Sequence, residues 1–135
     1  MPDKLFLDSN VAIYGVSDNE AKRQKAIDLF LKEPVISTQV LSETISVLHR
    51  KWKLSYPVIA DILEKSFPYA TVIPVLPETI RIALMLGEKY GFSYYDCQII
   101  ASALEANCTT LCTEDMQHGQ VIEDFLTIVN PFEVT

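Results

Sequence analysis

The sequence predicts an α/β chain in which about five short strands alternate with six or seven helices as parallel βαβ units. Three observations lead there. Short β-rich runs recur at Lys4–Leu7, Val35–Ile36, Thr71–Val75, Thr109–Cys112 and Phe125–Val129. Longer stretches between them carry apolar residues at helical spacing. Carboxylates cluster where strands should end or helices begin, at Asp8, Glu43, Asp96 and Asp115.

Each element has its own warrant. Lys4-Leu5-Phe6-Leu7 reads as a first strand ending at Asp8, and Val11 to Tyr14 as a helical turn. From about Glu20 to Glu33, Ala26, Ile27, Phe30 and Leu31 fall at helical spacing, and Pro34 stops that helix. Val35-Ile36 is a short strand, after which Ser37 or Thr38 can cap a helix running to about Trp52. Leu41, Ile45, Leu48 and Trp52 form its apolar stripe. Pro57 suits the first turn of a further helix, to about Phe67. Thr71–Val75 is a strand that Pro74 assigns to a sheet edge. Pro77 to Tyr90 is an amphipathic helix stopped by Gly91. Asp96 to Asn107 is a helix with Ile99, Ile100, Ala103 and Leu104 on its apolar side. Thr109–Cys112 and Phe125–Val129 complete the strands, and Asn130-Pro131 closes the last.

The bulk properties narrow the function. The chain of 135 residues fits a single domain spanning 1–135, and its 49% hydrophobic content argues against disorder. Apolar runs are broken by charges, so no membrane span is expected, and Met1-Pro2-Asp3-Lys4 lacks the start of a secretory signal. A cytoplasmic protein is the expectation. Cys97, Cys108 and Cys112 form no paired motif and read as small buried hydrophobes. The net charge of −7 is the wrong sign for holding nucleic acid by overall field. Setting four acids aside as ligands leaves −3, so any nucleic-acid contact must rely on bound cations or local basic patches.

In open parallel sheets, ligands bind beyond the carboxyl ends of the strands. Asp8 and Asp115 follow strands, while Glu43 and Asp96 lie in the first turns of helices that begin at the same edge. Alone, each acid has an ordinary explanation: turn chemistry for Asp-Ser-Asn, a solvated face for Glu43, a helix-start acid for Asp96. Gathered in one place they would repel unless a cation sat among them. The candidates offer oxygens only, with no convergent His or Cys, which suits Mg²⁺ or Mn²⁺ rather than zinc.

Other features carry less. His49-Arg50-Lys51-Trp52-Lys53 is a dense basic cluster that suits either RNA phosphates or a helix C-terminus, with Trp52 assigned to the core. Lys22, Arg23 and Lys25 read as a solvated helix face. His118 reads as an exposed loop residue, Glu114 as the weakest of its acidic stretch, and Tyr94 and Tyr95 as core or interface rings.

The order and wording of four stretches resemble the PIN-domain ribonucleases, and within them the VapC-type toxins of toxin–antitoxin systems. The stretches are Phe6-Leu7-Asp8-Ser9-Asn10, Ile36 to Glu43, Tyr95 to Ala103 and Leu111 to Met116, with Thr127 to Phe132 similar to the family's last strand. The resemblance implies a three-layer α/β/α sandwich around a five-stranded parallel sheet. It implies that Asp8, Glu43, Asp96 and Asp115 bind Mg²⁺ or Mn²⁺ for RNA phosphodiester cleavage, with Asn10 and Thr113 supporting them. It also implies a homodimer and an antitoxin protein that blocks the site. Two other classes remain open. One is a PIN-like binding module without turnover. The other is a phosphoryl-handling α/β domain, disfavoured because Asn10 stands where a haloacid-dehalogenase-like phosphatase needs a second Asp. Val75-Leu76-Pro77 likewise offers no Asp where a receiver domain needs its phosphoacceptor.

Overall fold

The computed structural model describes residues 3–133, except the side chain of Phe67, so Met1 and Pro2 of the N-terminal reading lie outside it. Its strands are β1 (Leu5–Leu7), β2 (Val35–Ser37), β3 (Thr71–Ile73), β4 (Thr110–Cys112), β5 (Val121–Ile122) and β6 (Leu126–Val129). Its helices are α1 (Ser9–Ala12), α2 (Glu20–Phe30), α3 (Thr38–Arg50), α4 (Tyr56–Ser66), α5 (Pro77–Tyr90) and α6 (Tyr94–Glu105). Short 3₁₀ turns follow α1 and α4.

The sheet order is β3-β2-β1-β4-β6-β5. Five strands run parallel, as the βα alternation requires, and helices flank them. β1 lies at the centre, with Phe6 opposite Val35 on one side and Leu111 on the other. Phe6, Leu7, Ile36, Leu111 and Ile128 are fully buried, as parallel strands covered on both faces should be. β3 occupies an edge, where Pro74 just beyond it costs no ladder bond.

The sheet has six strands, not five. β5 pairs antiparallel with β6 through Val121–Thr127 and Ile122–Leu126. In the connecting turn the Phe125 N–H donates to the Ile122 carbonyl at 3.1 Å, and Glu123 and Asp124 both have φ of 54°. Left-handed turns of this kind usually announce themselves by Asn-Gly or Asp-Gly, and neither is present. The Tyr90 hydroxyl meets the Glu123 backbone N–H and its carboxylate, both at 3.0 Å, and Lys89 pairs with the same carboxylate at 2.5 Å. Asp124 is exposed and has no such anchor among the described bonds. Asp124→Gly is therefore expected to stabilise the protein by about 0.5–1 kcal/mol, read as a raised midpoint in urea.

Several helix faces differ from the periodicity reading. On α3 the buried side is Val40, Thr44 and Leu48, while Leu41 and Ile45 are only partly covered. The helix must face the sheet and the α4 layer at once, which rotates the buried stripe by one residue. α3 ends at Arg50, so Trp52 escapes the core and stands 37% exposed. On α2, Ala26 and Leu29 are buried and Phe30 partly so, whereas Ile27 and Leu31 are exposed. α5 spans its expected Pro77–Tyr90, and Gly91 ends it in the left-handed conformation with φ 75°.

α6 begins two residues earlier than expected, at Tyr94 after the N-cap Ser93. It buries Cys97, Ile99, Ile100, Ala101, Ser102 and Ala103, more than one face, as a helix wedged between sheet and α5 must. All three cysteines are free and buried, as expected. Burial pushes the Cys108 and Cys112 thiols up to about 11, so both remain protonated and inert. The buried Ser102 Oγ has no hydrogen-bond partner. Removing an orphaned hydroxyl removes its desolvation cost, so Ser102→Ala is expected to stabilise by about 1 kcal/mol in chemical denaturation. No helix among the described residues is long and apolar enough to cross a membrane.

Candidate active site

β1 delivers the first acid. The Asp8 N–H donates to the Cys112 carbonyl at 3.0 Å, so the β1–β4 ladder fixes its backbone one residue past the strand. The side chain caps α1, with Oδ1 accepting from the Ser9 N–H at 2.8 Å. Oδ2 accepts from the Thr113 hydroxyl at 2.8 Å and from Asn10 Nδ2 at 3.4 Å. Asp8 is only 5% exposed. Burial raises its pKa to about 6, and the charges of Glu43 and Asp115 push the same way against the Thr113 and Ser9 bonds.

Thr113 is the hub. Fully buried after β4, it is held by its own N–H to the Val129 carbonyl at 3.0 Å. Its hydroxyl donates to Asp8 and accepts from Asn10 Nδ2 at 3.1 Å and from the Asp115 N–H at 3.2 Å. Asn10 completes the brace, its Oδ1 accepting from the Glu114 N–H at 3.1 Å. One hydroxyl and one amide thereby join the end of β1 to the loop after β4, which carries Asp115.

Glu43 lies in the second turn of α3 and is half-buried. Its Oε1 accepts from the Ser9 hydroxyl at 3.1 Å, the same hydroxyl that stands 3.5 Å from Asp8 Oδ1. Asp96 is the third residue of α6 and half-buried. Burial raises its pKa, the Asp115 charge adds to this, and the Ser93 hydroxyl opposes it. Asp115 is exposed and is the acid that both Asp8 and Asp96 feel. The four carboxylates thus occupy one edge of the sheet, as a chain of neighbours: Glu43 with Asp8, Asp8 with Asp115, Asp115 with Asp96. Among the described residues, no three acid, histidine or cysteine side chains are already closed around one point as a metal cluster.

The donor chemistry fits a hard divalent cation. Every candidate ligand is a carboxylate oxygen, and the pKa values of Asp8 and Asp96 are both raised, first by burial and then by the charge of neighbouring acids, Glu43 and Asp115 for Asp8 and Asp115 for Asp96. A cation among them offsets that repulsion.

Nearby residues sort themselves. Glu114 turns away and pairs with Lys22 at 2.8 Å. Lys22 is not on a solvated face. Its ammonium reaches the Tyr14 hydroxyl at 3.2 Å and lies 4.5 Å and 5.0 Å from the Tyr14 and Phe132 ring centres. Its sequence signal was an ordinary run of helix charges, so the pairing was not readable. His118 Nδ1 accepts from the Asn130 N–H at 2.9 Å and takes no part at the acids. Tyr94 and Tyr95 are both exposed rather than in the core, with ring centres 5.4 Å apart. The basic cluster lies at the far end of α3, with Arg50 roughly 10 Å along the helix axis from Glu43 at 1.5 Å per residue.

This architecture and site define a mostly parallel α/β domain with acids at the carboxyl edge of its sheet. The PIN domain family's profile matches residues 5–122. The chain belongs to the PIN domain family. No curated protein matches the chain. Among solved structures it resembles Mycobacterium tuberculosis VapC20, described as a sarcin–ricin-loop-cleaving toxin. That likeness has a TM-score of 0.67 and 18% identity over 83% of this chain and 90% of that one. It also resembles a toxin–antitoxin complex from Klebsiella pneumoniae, at 0.68 and 20% identity over 97% and 99%. FitAcB from Neisseria gonorrhoeae scores 0.69 with 20% identity over 96% and 99%. At these identities the likeness is one of fold.

Proposed function

We propose that this protein is a Mg²⁺- or Mn²⁺-dependent endoribonuclease and the toxin of a toxin–antitoxin pair. The observation that carries the reading is the Thr113–Asn10–Ser9 brace, which spends three polar side chains on holding acids at one sheet edge. A purely binding domain has no need to keep carboxylates half-buried against one another. Asp8, Glu43, Asp96 and Asp115 would hold the ion. When bound, such an ion supplies positive charge that acidifies an attacking water and offsets charge building on the phosphate. Thr113 and Asn10 orient Asp8, and Ser9 orients Glu43. Asp115, exposed and anchored by its backbone, faces the incoming substrate.

An antitoxin partner is supported by an apolar groove of about 260 Å³ between α1, α2, α3 and α4. Ile13, Val16, Ile27, Phe30, Leu31 and Leu63 line it, and it also touches Ala12, four residues past Asp8, and Thr44, next to Glu43. An amphipathic antitoxin segment lying there would bury these side chains and block the acids. A homodimer is supported by exposed apolar residues on one side of the chain's middle: Leu76 at the N-cap of α5 and Ile80 and Leu84 along it at four-residue spacing, with Val72 exposed on the edge strand β3.

The test is cleavage of total cellular RNA. Cleavage is expected with Mg²⁺ or Mn²⁺ and none with excess EDTA, and added Mn²⁺ is expected to restore it. Cleavage that persists in EDTA, or none with either ion, would refute the reading. Sedimentation at micromolar concentration checks the dimer.

A further inference from the structure

Asp96 stands outside the Thr113 brace. Its nearest support is the Ser93 hydroxyl of its own helix. Something else must fix the start of α6 against the start of α3, because these two helices carry Asp96 and Glu43.

Two glutamines do this. Gln39, in the first turn of α3, is 9% exposed, and a buried primary amide needs partners for both its ends. Its Nε2 donates to the Tyr95 carbonyl at 3.1 Å. Its Oε1 accepts from Gln98 Nε2 at 2.8 Å. Gln98 Oε1 in turn accepts from the Tyr94 hydroxyl at 2.9 Å. Tyr94 holds Gln98 within α6, and two bonds cross to α3, leaving α6 at Gln98 and returning to it at Tyr95, which forms a closed loop. Tyr95 immediately precedes Asp96, and Gln39 lies one helical turn before Glu43 on the same face.

Resting on the nuclease reading of this edge, we propose that the Gln39–Gln98–Tyr94 loop is a clamp that sets the distance between Glu43 and Asp96. Gln39 and Gln98 are positioning residues; neither is offered as a ligand. The amide is the one side chain that can serve here, since it must donate to a carbonyl and accept from another amide at once. A glutamate at 39 lacks the donor, and a leucine lacks both. The two bonds that cross between the helices are part-buried, which strengthens them and makes their loss costly, whereas the Tyr94–Gln98 bond is exposed.

The experiment uses Gln39→Met and Gln98→Met, which keep length and volume but remove the bonds. Each is expected to lower kcat for Mn²⁺-dependent RNA cleavage about ten-fold with KM changed less than about two-fold, because the misplacement acts on the reacting geometry and not on substrate binding. The double variant is expected to be no worse than the poorer single one, since both break the same loop. Amide hydrogen exchange is measured in parallel without metal or RNA. Exchange of the backbone amides at positions 97 and 98 is expected to speed up in both variants, with Leu104, at the far end of α6, unchanged. Unchanged exchange at positions 97 and 98, or losses that multiply in the double variant, overturns the clamp. Unchanged kcat in Gln39→Met, with cleavage still abolished by Asp8→Asn, overturns the clamp and leaves the nuclease reading intact. A wild-type protein that cleaves no RNA overturns the nuclease reading instead, and hydrogen exchange alone then decides the clamp.

Discussion

Asp8→Asn is expected to reduce metal-dependent RNA cleavage on the order of 10²- to 10³-fold while leaving the protein folded. The substitution keeps the shape and the acceptor for the Ser9 N–H but removes the charge at the most buried of the four carboxylates. It also sets an amide where Oδ2 now receives the Thr113 hydroxyl and Asn10 Nδ2. Asp96→Asn is expected to act in the same direction through the other end of the acid chain. Circular dichroism and a melting curve separate loss of chemistry from loss of fold. Undiminished cleavage by folded Asp8→Asn and Asp96→Asn proteins would place the reaction elsewhere.

The second large effect is on stability. In the folded protein Asp8 keeps its proton to about pH 6, whereas in the unfolded chain it releases it near the ordinary 3.8. Below the lower value both states are protonated and Asp8 contributes nothing. Between the two values the folded state binds more protons, so stability falls as pH rises; above pH 6 the penalty is complete. From pH 4 to pH 7 in EDTA, Asp8 is expected to cost the metal-free protein about 2.4 kcal/mol. Asp96 adds to this in the same direction. At pH 7, Mn²⁺ at about a hundred times its dissociation constant is expected to return about 2.7 kcal/mol. Urea titrations at several pH values, with and without Mn²⁺, measure both effects. Asn cannot titrate, so the difference between wild type and Asp8→Asn should change across pH 4 to 6. Parallel curves for the two proteins would refute the account.

Much of this was legible along the chain. Strands β1 to β4 and β6 announce themselves as short apolar runs, and Pro77 and Gly91 mark both ends of α5 because their backbone restrictions are local. Three of the candidate acids stand out for the same reason, Asp8 and Asp115 just past strands and Asp96 in the first turn of a helix, whereas Glu43 lies in the second turn of α3. What escaped is what depends on partners distant in sequence. β5 has two residues and turns at Glu123-Asp124, and its left-handed backbone is anchored by Tyr90, 33 residues earlier. The buried stripe of α3 depends on which helices flank it, so Leu41 and Ile45 looked as good as Val40 and Thr44. Trp52 falls at the spacing of the apolar stripe, but α3 ends two residues before it. Lys22 looked solvated because neither Glu114 nor Phe132 is near it in sequence. Gln39 and Gln98 carry no charge and fit no motif, so nothing before folding set them apart from surface amides.

The position of β6 has a consequence for biosynthesis. It is inserted between β4 and β5, and the Val129 carbonyl anchors the backbone of Thr113. A ribosome that has made everything through Asp115 has therefore produced all four candidate acids but not the strand that seats Thr113. The Thr113 N–H can meet its Val129 carbonyl only once residue 129 has been added and has left the ribosome.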